Sequence, residues 1–258
     1  MNGIHRLFFP LYVLGMYLFM YAPIVVLVLF SWNSNPFGYV WGGFTTAWYQ
    51  ELFASSAVIH ALKNSFIVAF SSAFLSCLMG SLFIFFLPRA FIDRATSFFY
   101  GGLIASEIVL AVGMLSFFSF LSVPLGLTTL IAGHTVLGLG YVAPIMYARY
   151  QELDKSMIEA STDLGASHMQ TFYTIILPLL SPAIVASSLL VFIISFDDFI
   201  IAFFCAGAAD QTIPMYIFSL LRSGATPLVN ALSTVLLLLS SILVLLFSSL
   251  HIKKMETL

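Results

Sequence analysis

Six apolar stretches, each about as long as the ~20 helical residues that a hydrocarbon core requires, constrain this chain more than anything else. They lie near residues 7–31, 63–87, 97–121, 127–148, 178–206 and 229–251. Of the 258 residues 61% are hydrophobic and 8% charged, whereas a soluble domain carries roughly 25% charged residues. One soluble core cannot hide that much apolar surface, so lipid must cover much of it. Inside lipid every backbone N–H and C=O needs an internal partner. Helices provide one, and no alternating pattern of about ten residues suggests a barrel. The expectation is an all-α membrane protein with six transmembrane helices in a single transmembrane domain, 1–258. It comprises an N-terminal helix, 7–31, and a core module, about 60–251. The first stretch is too long for a signal-peptide core and lacks a small-residue cleavage site, so it is expected to remain as a helix.

The nine basic residues set the orientation. Arg6, Arg89, Arg94, Arg149, Lys155, Lys253 and Lys254 fall on one side of the six spans, leaving Lys63 and Arg222 for the other. The side richer in Lys and Arg faces the cytoplasm. Both termini and the segment 149–177 are therefore expected there, in a multi-pass membrane protein. The opposite face carries longer connections at about 32–62 and 207–228. Trp32, Trp41, Trp48, Tyr39 and Tyr49 crowd the first, and such amphipathic rings suit an interfacial belt or a surface for an external partner. Asp210 and Arg222 lie in the second, as solvated loop charges or as contacts for such a partner.

Between the fourth and fifth stretches lies a polar island with strong local signals. Ser156-Met157-Ile158-Glu159 and Ser167-His168-Met169-Gln170 both fit capping boxes, in which a serine oxygen caps a helix start and the N3 side chain returns to the cap amide. Gly165 sits between them, suited to the left-handed turn that ends a helix. Pro178 fits the first turn of the span that follows. The expectation is a helical hairpin over 156–177 held at the membrane surface, shaped to dock on something else. Glu159 has two compatible roles, completing its capping box and presenting a carboxylate to a basic partner.

Three acids interrupt apolar sequence: Glu107, Asp197 and Asp198. A charge within a span costs several kcal/mol unless paired or hydrated, so such residues by default face a water-filled path. A structural hydrogen-bond network, or snorkelling of the aspartates to the interface, is the competing reading. By the 1.5 Å rise per residue, Glu107 falls roughly 15 Å into the third span and the aspartates nearer the opposite mouth. Neighbouring helical residues point about 100° apart, so Asp197 and Asp198 are not expected to line one path together. His134 is expected to differ in depth from Glu107 and to make an interhelical hydrogen bond. Three acids with no base at comparable depth suit a cationic substrate. Cys77 and Cys205 have neither metal-ligand nor CxxC spacing and read as small apolar packing residues. No dinucleotide fingerprint, phosphate loop or HExxH motif occurs. No catalytic residue, metal site or cofactor is expected, and the chain does not look able to hydrolyse ATP.

The island also carries Glu-Ala-small-x3-Gly-x9-Ile-x-Leu-Pro, here Glu159, Ala160, Ser161, Gly165, Ile175, Leu177 and Pro178. In a six-span chain this resembles the permease subunits of binding-protein-dependent ABC importers. Ser161 stands where alanine is common in that family, a mild departure to another small residue. Gly43-Phe44-Thr45-Thr46-Ala47-Trp48-Tyr49, Asp163-Leu164-Gly165-Ala166-Ser167, Ser195-Phe196-Asp197-Asp198-Phe199 and Pro227-x-Val229-Asn230-Ala231 narrow the resemblance to the C-type spermidine/putrescine permeases. It implies the type I importer permease (MetI-like) fold, with the island as coupling helices seated in a cleft of a cytoplasmic ABC ATPase dimer. It further implies a second permease subunit that differs from this chain, a periplasmic polyamine-binding protein that delivers the cargo, and alternating access driven by ATP hydrolysis in the partner. No nucleic-acid partner is expected.

Three rival readings remain. An importer for an iron chelate, sulfate or phosphonate would favour basic rather than acidic residues along the path. An intramembrane aspartyl protease, suggested by Asp197-Asp198, would resemble its kind through Tyr-Asp and Gly-x-Gly-Asp motifs, and neither occurs here. A solitary secondary carrier is disfavoured by the coupling motif and by the lack of inverted repeats.

Overall fold

The computed structural model describes residues 2–38, 40–86, 91, 97, 99–101, 104–224 and 226–256. Tyr39, Arg89 and Arg94 lie outside them. Most of the described residues are helical, and among them the one β-type pairing is an isolated bridge between Asn33 and Phe44. Four helical stretches are long and apolar enough to cross a membrane: Phe9–Phe30, Ser56–Phe86, Leu127–Gln151 and His168–Asp197. Glu107–Phe120 and Pro227–Ile242, within the other two expected spans, are shorter apolar helices.

The helices group into two compact units. The first comprises Met1–Val58 and Ile217–Leu258. In it α1 (Asn2–Phe30) and α2 (Ala47–Ala54) each pack against α11 (Thr226–Glu256). The connection from α1 to α2 is ordered by side-chain hydrogen bonds. Asn33 is fully buried; its side-chain oxygen accepts the amides of Asn35 (3.1 Å) and Gly42 (2.8 Å), and its amide nitrogen donates to the Val40 carbonyl (2.9 Å). The Trp48 indole donates to the Asn33 carbonyl at 2.8 Å, and Tyr49 shares a 2.6 Å hydrogen bond with Ser31. Trp48 and Tyr49 therefore hold the connection in shape, as amphipathic rings do when their polar ends find partners.

The second unit, Ile59–Tyr216, contains most of α3 (Ser56–Phe86), with α4 (Glu107–Phe120), α5 (Leu127–Gln151), α6 (Lys155–Asp163), α7 (His168–Thr171), α8 (Leu177–Asp197), α9 (Ile200–Cys205) and the start of α10 (Ile213–Ser223). Its principal packing is α5 on α8, with α9 wedged against α4 and α5. Between helices in lipid, association rests on close packing and hydrogen bonds, because apolar burial against apolar solvent gains little. Both devices are present. A Cβ at Gly138 would overlap the Ser76 side chain, so the missing side chain lets α5 approach α3, and Ser76 donates across that contact to the Thr135 carbonyl at 3.0 Å. Cys77 lies 3.7 Å from the Ser187 hydroxyl and packs with Ala73, Val142, Met146 and Val191. Both cysteines are buried and free, as expected of packing residues.

Candidate functional site: a capped hairpin and a buried acid cluster

The hairpin forms, with one correction at its start. Ser156 is not the N-cap. Asp154 is, and its carboxylate accepts the Ser156 amide at 2.9 Å. The reason is local: Asp caps as well as Ser, and starting at Asp154 adds helical residues to α6. Hydrogen bonding to the Ser156 backbone amide and side chain holds the Asp154 carboxyl below its ordinary pKa. Glu159 is thereby released from capping and stands exposed on α6 beside exposed Ala160.

α6 ends as expected. Gly165 has φ +82°; its amide bonds the Thr162 carbonyl at 2.9 Å and the Ala166 amide bonds the Ser161 carbonyl at 3.0 Å. Those two bonds define a Schellman cap. Leu164 at the tip is 89% exposed, an unusual setting for an apolar side chain that no lipid-spanning helix carries. The second capping box also forms. Ser167 accepts the Gln170 amide (3.3 Å), and the Gln170 side chain accepts the Ser167 amide (2.8 Å). Ser161, in the family's alanine position, donates to the Ile158 carbonyl (2.9 Å) and pairs with the Thr171 hydroxyl at 2.8 Å. Both hydroxyls are buried and fasten the two arms together.

Pro178 stands in the first turn of α8, as expected, but the chain reaches α8 already helical. The chain runs helically from His168 to Asp197, through one π-helical turn at Phe172–Ile176. Proline at 178 cannot donate to residue 174 and its ring crowds that carbonyl, so the preceding turn widens instead of breaking. Ile175 lies in this turn, half-buried, as is Leu177, while Pro178 is exposed. Phe172, Ile176 and Leu180 form the core beneath, against Phe85, Tyr150 and Ile158. The hairpin thus joins α8 rigidly, without a flexible linker.

Of the three acids, Glu107 and Asp198 come together and Asp197 stands apart. Asp197 is exposed at the end of α8, whereas Asp198 is only 8% exposed. Asp198 leaves the helix with extended backbone and caps the next one, Oδ1 accepting the Ile200 amide (3.2 Å) and Oδ2 the Ala202 amide (3.1 Å). At the other end of α9, Thr129 donates to the Cys205 carbonyl at 2.8 Å. The expected continuous span 178–206 is therefore broken after Asp197. Glu107 is not deep inside a helix; it is the first residue of α4, after Ser106 at the cap. The carboxyls of Glu107 and Asp198 are close enough to interact electrostatically. His134 Nε2 stands 3.6 Å from Asp198 Oδ2, and its Nδ1 bonds the Ser195 hydroxyl at 3.1 Å. Ser72 reaches the same Ser195 oxygen, also at 3.1 Å. His134 makes the expected interhelical hydrogen bond, yet its expected separation from Glu107 fails, because Asp198 bridges them. The depth arithmetic assumed unbroken helices, and neither α4 nor the α8–α9 segment is one. Glu107 also lines a cavity of about 590 Å³ with Phe99, Leu110, Leu137 and Tyr141. Among the described residues no cluster of three or more metal-ligating side chains forms. Asp210 is half-buried and Arg222 exposed.

No family model matches the chain. Curated relatives do. It is 36% identical over 233 residues to the spermidine/putrescine transport system permease protein PotC of Haemophilus influenzae, covering 89% of this chain and 91% of that one. To PotC of Escherichia coli K12 it is 37% identical over 234 residues, with 89% and 88% covered, and to the putrescine transport system permease protein PotI of the same organism 34% over 229 residues, with 85% and 82% covered. In solved structures the fold matches a chain of a bacterial ABC transporter involved in the import of the acidic polysaccharide alginate. The TM-score is 0.73 at 14% identity, with 96% of this chain and 94% of that one covered. A second alginate transporter, in complex with a pentasaccharide-bound periplasmic protein, gives a TM-score of 0.69. With 36–37% identity sustained over nearly nine-tenths of both partners, the chain belongs to the family of spermidine/putrescine transport system permease proteins.

Proposed function

We propose that this chain is the permease subunit of a polyamine importer driven by a partner ATPase. The observation that carries this reading is its relatedness to spermidine/putrescine permeases over nearly its whole length. Six helices cross the membrane, with the two shorter apolar helices, α4 and part of α11, completing the set. Both termini and the hairpin face the cytoplasm, following the distribution of Lys and Arg. A second, non-identical permease completes the pathway, and an external binding protein delivers the cargo. The hairpin sits on the ATPase, with exposed Glu159, Ala160 and Leu164 as its contact surface and Gly165, Ser161 and the Ile175–Pro178 segment shaping it. Because the π turn joins it to α8 without a linker, movement of the hairpin moves α8 and the acid at its end. ATP binding then opens the transmembrane halves outward, and hydrolysis resets them.

Polyamines are flexible chains of ammonium groups, recognised by carboxylates and aromatic faces. Glu107, which lines one cavity with Phe99 and Tyr141, and Asp197, exposed at the end of α8, offer both chemistries. The aspartates do not form a protease dyad: one is exposed, and the other is occupied with the backbone of α9. The test is uptake of labelled putrescine and spermidine by the chain assembled with its ATPase, second permease and binding protein. Glu107→Gln is expected to cut uptake at least tenfold at limiting substrate, the loss of one charge-assisted contact. Unchanged uptake in Glu107→Gln and Asp197→Asn alike would remove the acidic path. Uptake surviving inactivation of the ATPase would remove the importer.

A further inference from the structure

His134 is the most deeply buried ionisable side chain of the acid cluster, 1% exposed. Its Nε2 has no hydrogen-bond partner yet faces Asp198 Oδ2 at 3.6 Å, with both side chains almost wholly buried. An orphaned ring nitrogen at such a site has a cost that an apolar residue of similar size would avoid. The surrounding hydroxyls assign the tautomer. If Nδ1 carried the proton, the Nε2 lone pair would oppose the Asp198 carboxylate. With the proton on Nε2 the N–H dipole instead faces the carboxylate, at 3.6 Å a charge–dipole contact longer than a hydrogen bond. Ser72 donates to Ser195 and Ser195 to His134 Nδ1, leaving Nε2–H directed at Asp198. Each link joins a different element: α3, α8, α5 and the α8–α9 break.

We infer that His134 is a positioning residue: its Nε2–H, oriented by the Ser72–Ser195 relay, aims the Asp198 carboxylate at the amides of α9 and thereby fixes the break that brings Asp198 beside Glu107. Asp198 lacks a rigid support of its own, since it leaves α8 in extended backbone and both its backbone partners lie within the six-residue α9 that it caps. A carboxylate held only by the turn it stabilises has no external reference. His134, anchored on α5 in the packed centre of the unit, provides one. This role needs no polyamine, although its value to transport rests on the function proposed above.

The experiment separates the two ideas. Full-length chain in lipid nanodiscs is compared as parent, His134→Leu, His134→Gln and Ser195→Ala, reading amide hydrogen exchange at Ile200 and Ala202. His134→Leu keeps the volume and removes the donor, while His134→Gln keeps an N–H. Exchange at both amides is expected to quicken severalfold in His134→Leu, which loses the N–H dipole that faces the carboxylate, and to a lesser extent in Ser195→Ala. In His134→Gln it stays within about twofold of the parent. Equal exchange in parent and His134→Leu overturns the inference, and so does His134→Gln behaving like His134→Leu, because the donor would then not matter. If His134→Leu does not fold, the comparison of Ser195→Ala with the parent decides alone, an unchanged rate overturning it. In the assembled importer, the half-saturating polyamine concentration should rise in His134→Leu and recover in His134→Gln, with ATPase activity in the absence of substrate unchanged. A parent that takes up no polyamine would sink the proposed function and leave the exchange result standing.

Discussion

Gly165 shows how much one residue carries. Its φ of +82° lies where side chains with a Cβ are strained, yet nothing lies within 4 Å of where that Cβ would stand. The cost of substitution is therefore backbone strain with no steric clash. Gly165→Val should destabilise the Schellman turn by about 1–3 kcal/mol, whereas Gly165→Asn should cost much less because Asn tolerates the left-handed region. The readout is protease cleavage at Leu164 in membranes, alongside co-purification with the ATPase. Valine is expected to remain in the membrane, to be cut faster and to retain less ATPase. Indistinguishable cleavage of Gly165→Val and parent would show that the turn tolerates either conformation. This residue was legible in the sequence, since a glycine between two cap signals stands where one helix must end before the next begins. Asp154 was not, because Ser156 made an equally good cap by composition, and the choice depended on which start lengthened α6.

At the scale of elements, the hairpin's two arms are joined by a buried pair of hydroxyls, Ser161 and Thr171. Ser161→Ala leaves the Thr171 hydroxyl without its partner, and Thr171→Val does the reverse. Each should cost about 1–2 kcal/mol. The double variant should cost less than the sum, because neither buried hydroxyl then lacks a partner. Chemical unfolding of the purified chain, followed at the hairpin, measures all three. Strict additivity would mean that the two hydroxyls do not interact. The capping box at Ser167 and the long apolar runs were readable from spacing alone. The π turn was not: Pro178 announces a helix start as readily as a mid-helix irregularity, and packing of Phe172, Ile176 and Leu180 on the neighbouring core decides between them.

At the scale of the whole molecule, the second unit is held by close approach of helices and by hydroxyls that donate across them. Gly138→Ala puts a methyl group where Ser76 and Val191 already are. Overpacking of this kind should cost about 1–3 kcal/mol and lower the thermal unfolding midpoint in detergent. Gly101→Ala, where nothing stands within 4 Å of the new Cβ, is the comparison. Equal midpoints for the two would show that α3 and α5 separate at no cost.

Hydropathy, glycine and cap signals act within a few residues of one another. By themselves they determined that the chain is helical, that apolar runs dominate it, and that a polar hairpin turns at a glycine. Glu107, His134 and Asp198 are far apart in sequence, and uniform helix arithmetic kept Glu107 and His134 at different depths. Tertiary structure brought them together by starting α4 at Glu107 and breaking the chain after Asp197. At that break the Asp198 side chain accepts the Ile200 and Ala202 amides, and Thr129 of α5 donates to the Cys205 carbonyl. A buried carboxylate is tolerated where donors converge on it, and convergence is a property of the packed fold that no local pattern in the sequence encodes.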